Sequence, residues 1–187
     1  MRINEPVTDR EIQMQEDDVL VTKTDTGGRI TFVNQAFLRI SGFTEEELIG
    51  QPHNIVRHPS MPKEAFADLW ATIKSGNAWE APVKNRAKSG DYYWVRANAT
   101  PIIENGTITG FISVRSKPSR DEVAAAGRIY EAIRKGQQGN LTVEGGRVKR
   151  TGVKAALIQA KQSIGLRVGA TLGVLILCLL TMTIIGL

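Results

Sequence analysis

The sequence predicts an α+β domain: a five-stranded antiparallel sheet with helices on one face, followed by a linker helix and one transmembrane helix. Three observations carry this. Short runs rich in β-branched and aromatic residues flank turn dipeptides, two runs before and three after a block of helical character. Within that block Lys63–Lys74 keeps Phe66, Leu69, Trp70 and Ile73 at helical spacing. The last twenty residues, Val168 to Leu187, hold no charge and no proline.

Taken in order, residues 1–18 read as a polar, acidic leader. Val19–Thr24 and Arg29–Val33 flank the turn Asp25-Thr26-Gly27-Gly28 and make a hairpin. Asn34 opens a helical stretch with Ala36, Phe37 and Ile40 at helical spacing and Gly42 as its stop. Thr44 with Glu47 has the pattern of a capping box ahead of Leu48 and Ile49. Gly50, Pro52, Pro59 and Pro62 then break the chain into short pieces, and Gly76 ends the Lys63–Lys74 helix. Trp79–Lys88 and Asp91–Ile102 flank the turn Ser89-Gly90, and Ile108–Lys117 follows the turn Asn105-Gly106. Pro118 closes a domain of residues 19–118. Residues 119–164 form a linker and juxtamembrane segment. It starts with a helix over Arg120–Lys135 and a Gly/Gln-rich stretch from Gly136 to Gly146. The transmembrane helix takes residues 165–187.

Twenty helical residues span roughly 30 Å, the thickness of a bilayer's hydrocarbon core. A buried core helix is the alternative, but such a helix usually carries a polar stripe, and only isolated threonines interrupt this run. Residues 1–144 carry 18 Lys/Arg against 19 Asp/Glu, whereas residues 145–187 carry six basic residues and no acid. Basic residues before a span favour the cytoplasmic side, and the N-terminus has no apolar run of a signal peptide. The polar domain is therefore expected in the cytoplasm, on the inner membrane. The sequence pI of about 9.5 does not point to nucleic acid, because the basic excess lies next to the membrane run. The one cysteine, Cys178, lies inside that run, so no disulfide and no cysteine-bearing metal site is expected in the polar part. No nucleotide-binding, nucleophile-elbow or zinc-protease motif is present, and nothing points to an enzyme.

The element order, with the stretches TDTGGRITFVNQAFLRISGFTEEELIG and NRAKSGDYYWVRANATPI, resembles the PAS sensor domain. The stretch GQPHNIVRHPSMPKEAFADLW followed by VKNRAKSGDYYWVRA is more specific. It resembles the N-terminal PAS domain of bacterial aerotaxis receptors, a branch of the chemoreceptor family, from about Val19 to Lys117. The PAS fold hosts many ligands, so the HNIVRHP segment is what narrows the reading. The resemblance implies non-covalently bound FAD whose redox state is reported to a chemoreceptor signalling module, on the same chain or a separate one. It also implies a homo-oligomeric receptor.

Against that resemblance, six residues are candidates for the cofactor site. Strand alternation groups Trp79, Ala81, Val83, Asn85 and Ala87 on one face, which sets the amide of Asn85 among apolar neighbours. It either meets the pyrimidine edge of a flavin or satisfies a nearby loop. Asn34 is explained by helix capping and could also touch the pocket. Trp79 is either core or a stacking surface. His53, Arg57 and His58 cluster in a Pro-bounded stretch suited to a ligand mouth, where Arg57 could grip a pyrophosphate and His58 add a donor; solvated surface charge is the alternative. Many relatives carry an acid where this chain has Ser60. Photosensing relatives of the LOV type need a cysteine near the flavin, and the polar part has none. A haem reading would use His53 or His58 and ranks below flavin.

Similarity to flavin PAS domains implies that Ser113 and Arg115 face the ligand, so the opposite sheet face is expected to carry Trp94, Asn98, Ile112 and Val114, with an apolar patch of Trp94, Ile112 and Val114 for a second protomer or a downstream module. The competing expectation is that the leader or the helix after Pro118 covers the patch. The leading reading is a membrane-anchored redox sensor without catalytic turnover. A ligand-free PAS interaction module is the rival, and a flavin oxidoreductase comes third.

Overall fold

The computed structural model describes residues 4–150. The expected conformations beyond that point, including the transmembrane helix at 165–187, lie outside the described residues. Among the described residues no helix is long and apolar enough to cross a membrane.

Strand β1 (Leu20–Thr24) buries Leu20, Thr22 and Thr24 and turns Lys23 out to solvent, the alternation that period-two geometry dictates. It pairs antiparallel with β2 (Ile30–Val33) across the expected turn. Main-chain bonds from Gly50 to Ile30 and from Ile30 to Gln51 cover part of the free edge of β2. Helix α1 (Gln35–Ser41) is capped by Asn34 and stopped by Gly42 in the left-handed conformation. Helix α2 (Glu45–Leu48) has both reciprocal bonds of the Thr44–Glu47 capping box. A 3₁₀ turn over His53–Val56 precedes α3 (Lys63–Lys74), whose bounds coincide with those read from the sequence.

Three long strands complete the sheet: β3 (Trp79–Arg86), β4 (Tyr92–Glu104) and β5 (Thr107–Ser116). The order across the sheet is β2-β1-β5-β4-β3, with every neighbouring pair antiparallel. β4 and β5 each run further toward their shared turn than expected. Asn105 and Gly106 both have positive φ, 51° and 77°, the geometry of a two-residue hairpin turn, so Glu104 and Thr107 pair directly. Phe37, Leu48, Ile73, Trp79, Tyr93 and Val95 are fully buried between the sheet and α1–α3.

Two segments are more ordered than their sequences suggest. The leader lies along the start of β4: Ile12 donates to the Tyr92 carbonyl and Tyr92 donates to that of Arg10, as a parallel bridge. β5 ends opposite Arg96 and β3 takes the other side of Tyr92, so the leader fills the open side of β4. Met14 is buried, and Arg10 pairs with Asp91 at 2.5 Å. Nothing in the polar leader shows hydrophobic periodicity, because its order comes from partners about eighty residues away.

Helix α4 (Arg120–Arg134) starts with a second capping box, Ser119 with Glu122. It packs on edge strand β3, where the Tyr130 hydroxyl donates to the Pro82 carbonyl at 2.8 Å. A proline fits at this edge because no ladder donor is needed there. The Gly-rich stretch that reads as a linker in sequence ends in a hairpin, β6 (Leu141–Glu144) with β7 (Arg147–Arg150). Gly145 and Gly146 both have positive φ and form its turn, a Gly-Gly pair that looks like linker until the flanking strands are seen to pair.

Candidate functional site

Sheet and helices enclose a cavity of about 310 Å³, near the lower end of small-molecule sites. Its long walls are apolar. Phe66, Leu69, Trp70 and Ile73 come from α3, and Trp79, Val83 and Phe111 from the sheet. Trp70 and Phe111 meet edge to face, with ring centroids 5.6 Å apart. The β1–β2 turn presses against this wall: a Cβ on Gly28, where φ is +81°, would lie 2.7 Å from the Trp70 ring. The result is a slot between flat side chains.

One end of the slot is polar. Arg115 of β5 is buried and donates to the Thr22 hydroxyl at 3.0 Å and to His53 Nε2 at 2.8 Å. An arginine carries only donors, so Nε2 is the acceptor and the imidazole proton sits on Nδ1. Burial, then the charge of Arg115, pushes the His53 pKa down to about 3, so the ring is neutral. Burial also pulls Arg115 down to about 10, still charged at neutral pH. Among the described residues no carboxylate forms an ion pair with it; its partners are a hydroxyl, a neutral imidazole and the face of Phe37 at 5.6 Å. A buried cation without a counter-charge costs several kcal/mol in a real protein, so this end is electrostatically prepared for an acceptor or an anion.

Thr24 Oγ1 and Asn54 Oδ1 on the cavity lining are buried without partners, and deeper on the sheet Asn85 Nδ2 and Tyr93 Oη have none except each other. Asn85 and Tyr93 are cross-strand partners, and burial raises the Tyr93 phenol well above its ordinary pKa. Native interiors leave few such atoms unpaired, so their concentration here marks a site for polar contacts.

The residues singled out from sequence separate in space. His53 and Trp79 line the cavity, and the Trp79 indole donates to Asp68 at 2.7 Å. Asn85 is buried beyond the lining, its strand bridged to Arg57. Arg57 faces an adjoining, more open hollow of about 460 Å³ that shares Asn54, Phe66 and Trp70 with the cavity. Its guanidinium lies 4.9 Å from the Phe66 ring and bonds the Met61 carbonyl, and Nε has no partner. His58 does not line the cavity. Its Nδ1 lies 2.7 Å from the Ser60 hydroxyl and accepts from the Ser60 amide at 3.1 Å, and its ring is edge-on to Tyr92. Asn34 also stays outside: its side chain accepts from Phe37, as the helix cap, and from Val21, and donates to the Val19 carbonyl, so both of its acceptor positions and one of its two N–H groups are used.

On the outer face Trp94 is half-buried against Ile12, Met14 and Val123, between leader and α4. This is the covering that the sequence left open as an alternative, and it removes Trp94 from any open patch. Asn98 and Val114 are exposed, Ile112 is half-buried, and Val21 is the cross-strand partner of Val114.

Residues 30–115 match the sequence profile of the PAS fold family. The chain is 47% identical over 131 residues to the aerotaxis receptor of Escherichia coli strain K12, covering 70% of this chain and 26% of that receptor. Residues 30–115 form a PAS-fold domain, in a stretch similar to the aerotaxis receptor. The chain spans about a quarter of that receptor's length, and the likeness is to a signalling rather than a catalytic protein. The PAS domain is also 27% identical over 90 residues to a nitrogen fixation regulatory protein of Klebsiella pneumoniae, covering 48% of this chain and 18% of the relative. Among solved structures it is similar to a light-oxygen-voltage domain studied with a flavin analogue. There the TM-score is 0.54 and the identity 19%, over 61% of this chain and 87% of the other. It is also similar to the dark state of the LOV domain of the blue-light photoreceptor aureochrome, with a TM-score of 0.52 and 18% identity over 62% and 84%. At these identities the structural likeness speaks for the fold alone.

Similarity to flavin PAS domains sets Ser113 and Arg115 toward the ligand, and both line the cavity. Arg115 is nonetheless absent from the six sequence candidates, and its register opposite buried Leu20 of β1 marks it as internal.

Proposed function

We propose that the chain is a membrane-anchored redox and oxygen sensor whose PAS domain holds FAD non-covalently. The carrying observation is Arg115, a buried cation without a carboxylate at the polar end of a flat apolar slot. The residues fit the cofactor. Trp70, Trp79 and Phe111 supply flat apolar walls, and Thr24 Oγ1 and Asn54 Oδ1 supply unpaired polar atoms. Arg57 adds a cation in the adjoining hollow, suited to the charged remainder of a dinucleotide. Bound there, flavin supplies a reversible redox change. Arg115 favours whichever state carries more negative charge next to it, and neutral His53 holds the guanidinium in place by accepting one of its N–H groups. A redox change then biases the domain between two packings only through such differential contacts.

The likeness to the aerotaxis receptor supports a homo-oligomer that reports to a chemoreceptor signalling module. The uncharged run at 168–187, with the basic residues before it, supports an anchor in the inner membrane and a cytoplasmic PAS domain. A ligand-free interaction module is favoured by one observation, the exposed Val114 beside Val21 on the outer sheet face. An absorption spectrum of the chain in membranes, before and after dithionite, decides between them. A bleachable flavin band, with FAD released at about one per chain, is the expected result. A colourless, folded protein that takes up no added FAD would leave the interaction module, and a Soret band would shift attention to His53 and His58.

A further inference from the structure

Asp68, on α3, accepts three hydrogen bonds from two distant parts of the chain. Oδ2 takes the Trp79 indole N–H at 2.7 Å and the Gly146 amide at 2.8 Å, while Oδ1 takes the Gly145 amide at 2.9 Å. Trp79 is a wall of the cavity, and Gly145-Gly146 is the turn between β6 and β7. Positive φ at both glycines, 61° and 80°, directs two successive amides at one carboxylate, and bonds to a charged acceptor are the strong kind.

The turn has no slack. A Cβ on Gly146 would lie 2.1 Å from the Glu80 carbonyl oxygen, so the turn rests backbone to backbone on the residue after Trp79. Val143 and Val148, flanking it, share an apolar hollow with Ala126, Ile129 and Pro82. The chain continues from β7 into residues 151–187, which include the uncharged run.

We propose that Asp68 is a latch that couples the cavity wall to the β6–β7 turn, so that the cavity's contents set how firmly the turn is held. Two oxygens serve three donors, so a displaced indole changes the bonds left to the turn. By linkage, a displaced turn changes the hold on the indole. Only the identity of the occupant rests on the sensor reading above; the latch itself does not.

Hydrogen–deuterium exchange of the whole chain in detergent micelles, followed at residues 143–148, tests the coupling. Trp79→Phe keeps an aromatic ring but removes the indole N–H. Exchange at the turn is expected to quicken about fivefold, the equivalent of one net hydrogen bond. Asp68→Asn is expected to quicken it by about tenfold or more, because a charged acceptor is lost. If Asp68→Asn acts and Trp79→Phe leaves the turn at the wild-type rate, Asp68 is merely a cap and the coupling is overturned. Should Trp79→Phe fail to fold by circular dichroism, Gly146→Ala probes the reverse direction. A shift of the Trp79 indole N–H resonance is expected, and an unmoved resonance would overturn the latch. In the last arm FAD is added to the wild type and to Asp68→Asn. Turn exchange that changes on FAD uptake in the first and not in the second is expected, and bound FAD with no change in the wild type refutes ligand control. Failure to take up FAD counts against the sensor reading, and the substitutions alone then decide whether the latch exists.

Discussion

Arg115 and His53 together hold a protonated guanidinium and a neutral imidazole 2.8 Å apart inside the domain. The arrangement costs stability and gains binding. Arg115→Met should therefore leave the ligand-free domain as stable as wild type or more so, since replacing buried charge by an apolar side chain is often neutral or stabilising. FAD affinity should fall about tenfold or more, the worth of a hydrogen bond to a charged group. Urea melts and FAD titration read the two quantities, and a fall in the melt alone would make Arg115 structural. The same pair predicts a pH dependence. His53 takes up a proton near its ordinary pKa of 6.5 when unfolded and near 3 when folded, so below 6.5 the unfolded state binds more protons. Its contribution is complete above pH 6.5 and is lost as pH falls toward 3, at about 1.4 kcal/mol per pH unit. His58, pushed down to about 4 by burial and then by Lys84, adds to the slope over the upper part of that window. Equilibrium unfolding between pH 7 and 4 should be flatter for His53→Gln than for wild type. At this scale the sequence is least telling. His53 and Trp79 could be picked out because a Pro-bounded loop and an apolar strand face are local patterns, whereas the environment of Arg115 exists only once β1 and β5 pair.

Turns and helices fix the width of the slot. Gly28 and Gly50 share a positive φ, +81° and +78°, but only Gly28 has the Trp70 ring where a Cβ would go; nothing lies within 4 Å at Gly50. Gly50→Ala should cost only the left-handed backbone penalty, about 1–2 kcal/mol. Gly28→Ala should cost at least about 1 kcal/mol more, in the range of overpacking, because Trp70 must move. Thermal melts of the two variants separate the contributions, and equal costs would mean that the turn does not set the wall. Elements whose signals are local, such as the Thr44 and Ser119 capping boxes, the α3 stripe and the Asn105-Gly106 turn, can be read from the chain. The leader and the β6–β7 hairpin cannot, because each becomes ordered only against strands distant in sequence.

Across the whole molecule, the two halves of the outer sheet face differ in fate. Leader and α4 cover Trp94, while Val114 stays exposed on β5, with 42% of its surface open to solvent. Val114→Asp should leave the melt within about 0.5 kcal/mol of wild type, as surface changes usually do. It should weaken self-association in sedimentation if this face joins protomers; unchanged association would take the patch out of the interface. Deleting residues 1–15 removes buried Met14 and the Arg10–Asp91 pair. The expected result is a lower melting temperature and a Trp94 more open to acrylamide quenching, and an unaltered melt would show that the leader adds nothing.

The position of that leader also sets an order of assembly. Its partners include Gly90, Tyr92 and Arg120, and the Arg120–Glu11 bond spans 109 positions. A ribosome makes these residues well before their partners, so they can dock only after β4, and in part α4, have emerged. Until the leader docks, the start of β4 is an open strand in the nascent chain, the kind of surface on which misassembly begins. Closure by such distant contacts is slow, because the loop entropy is lost before the contacts return it. The leader is thus made before the strand it completes and finds its place after it.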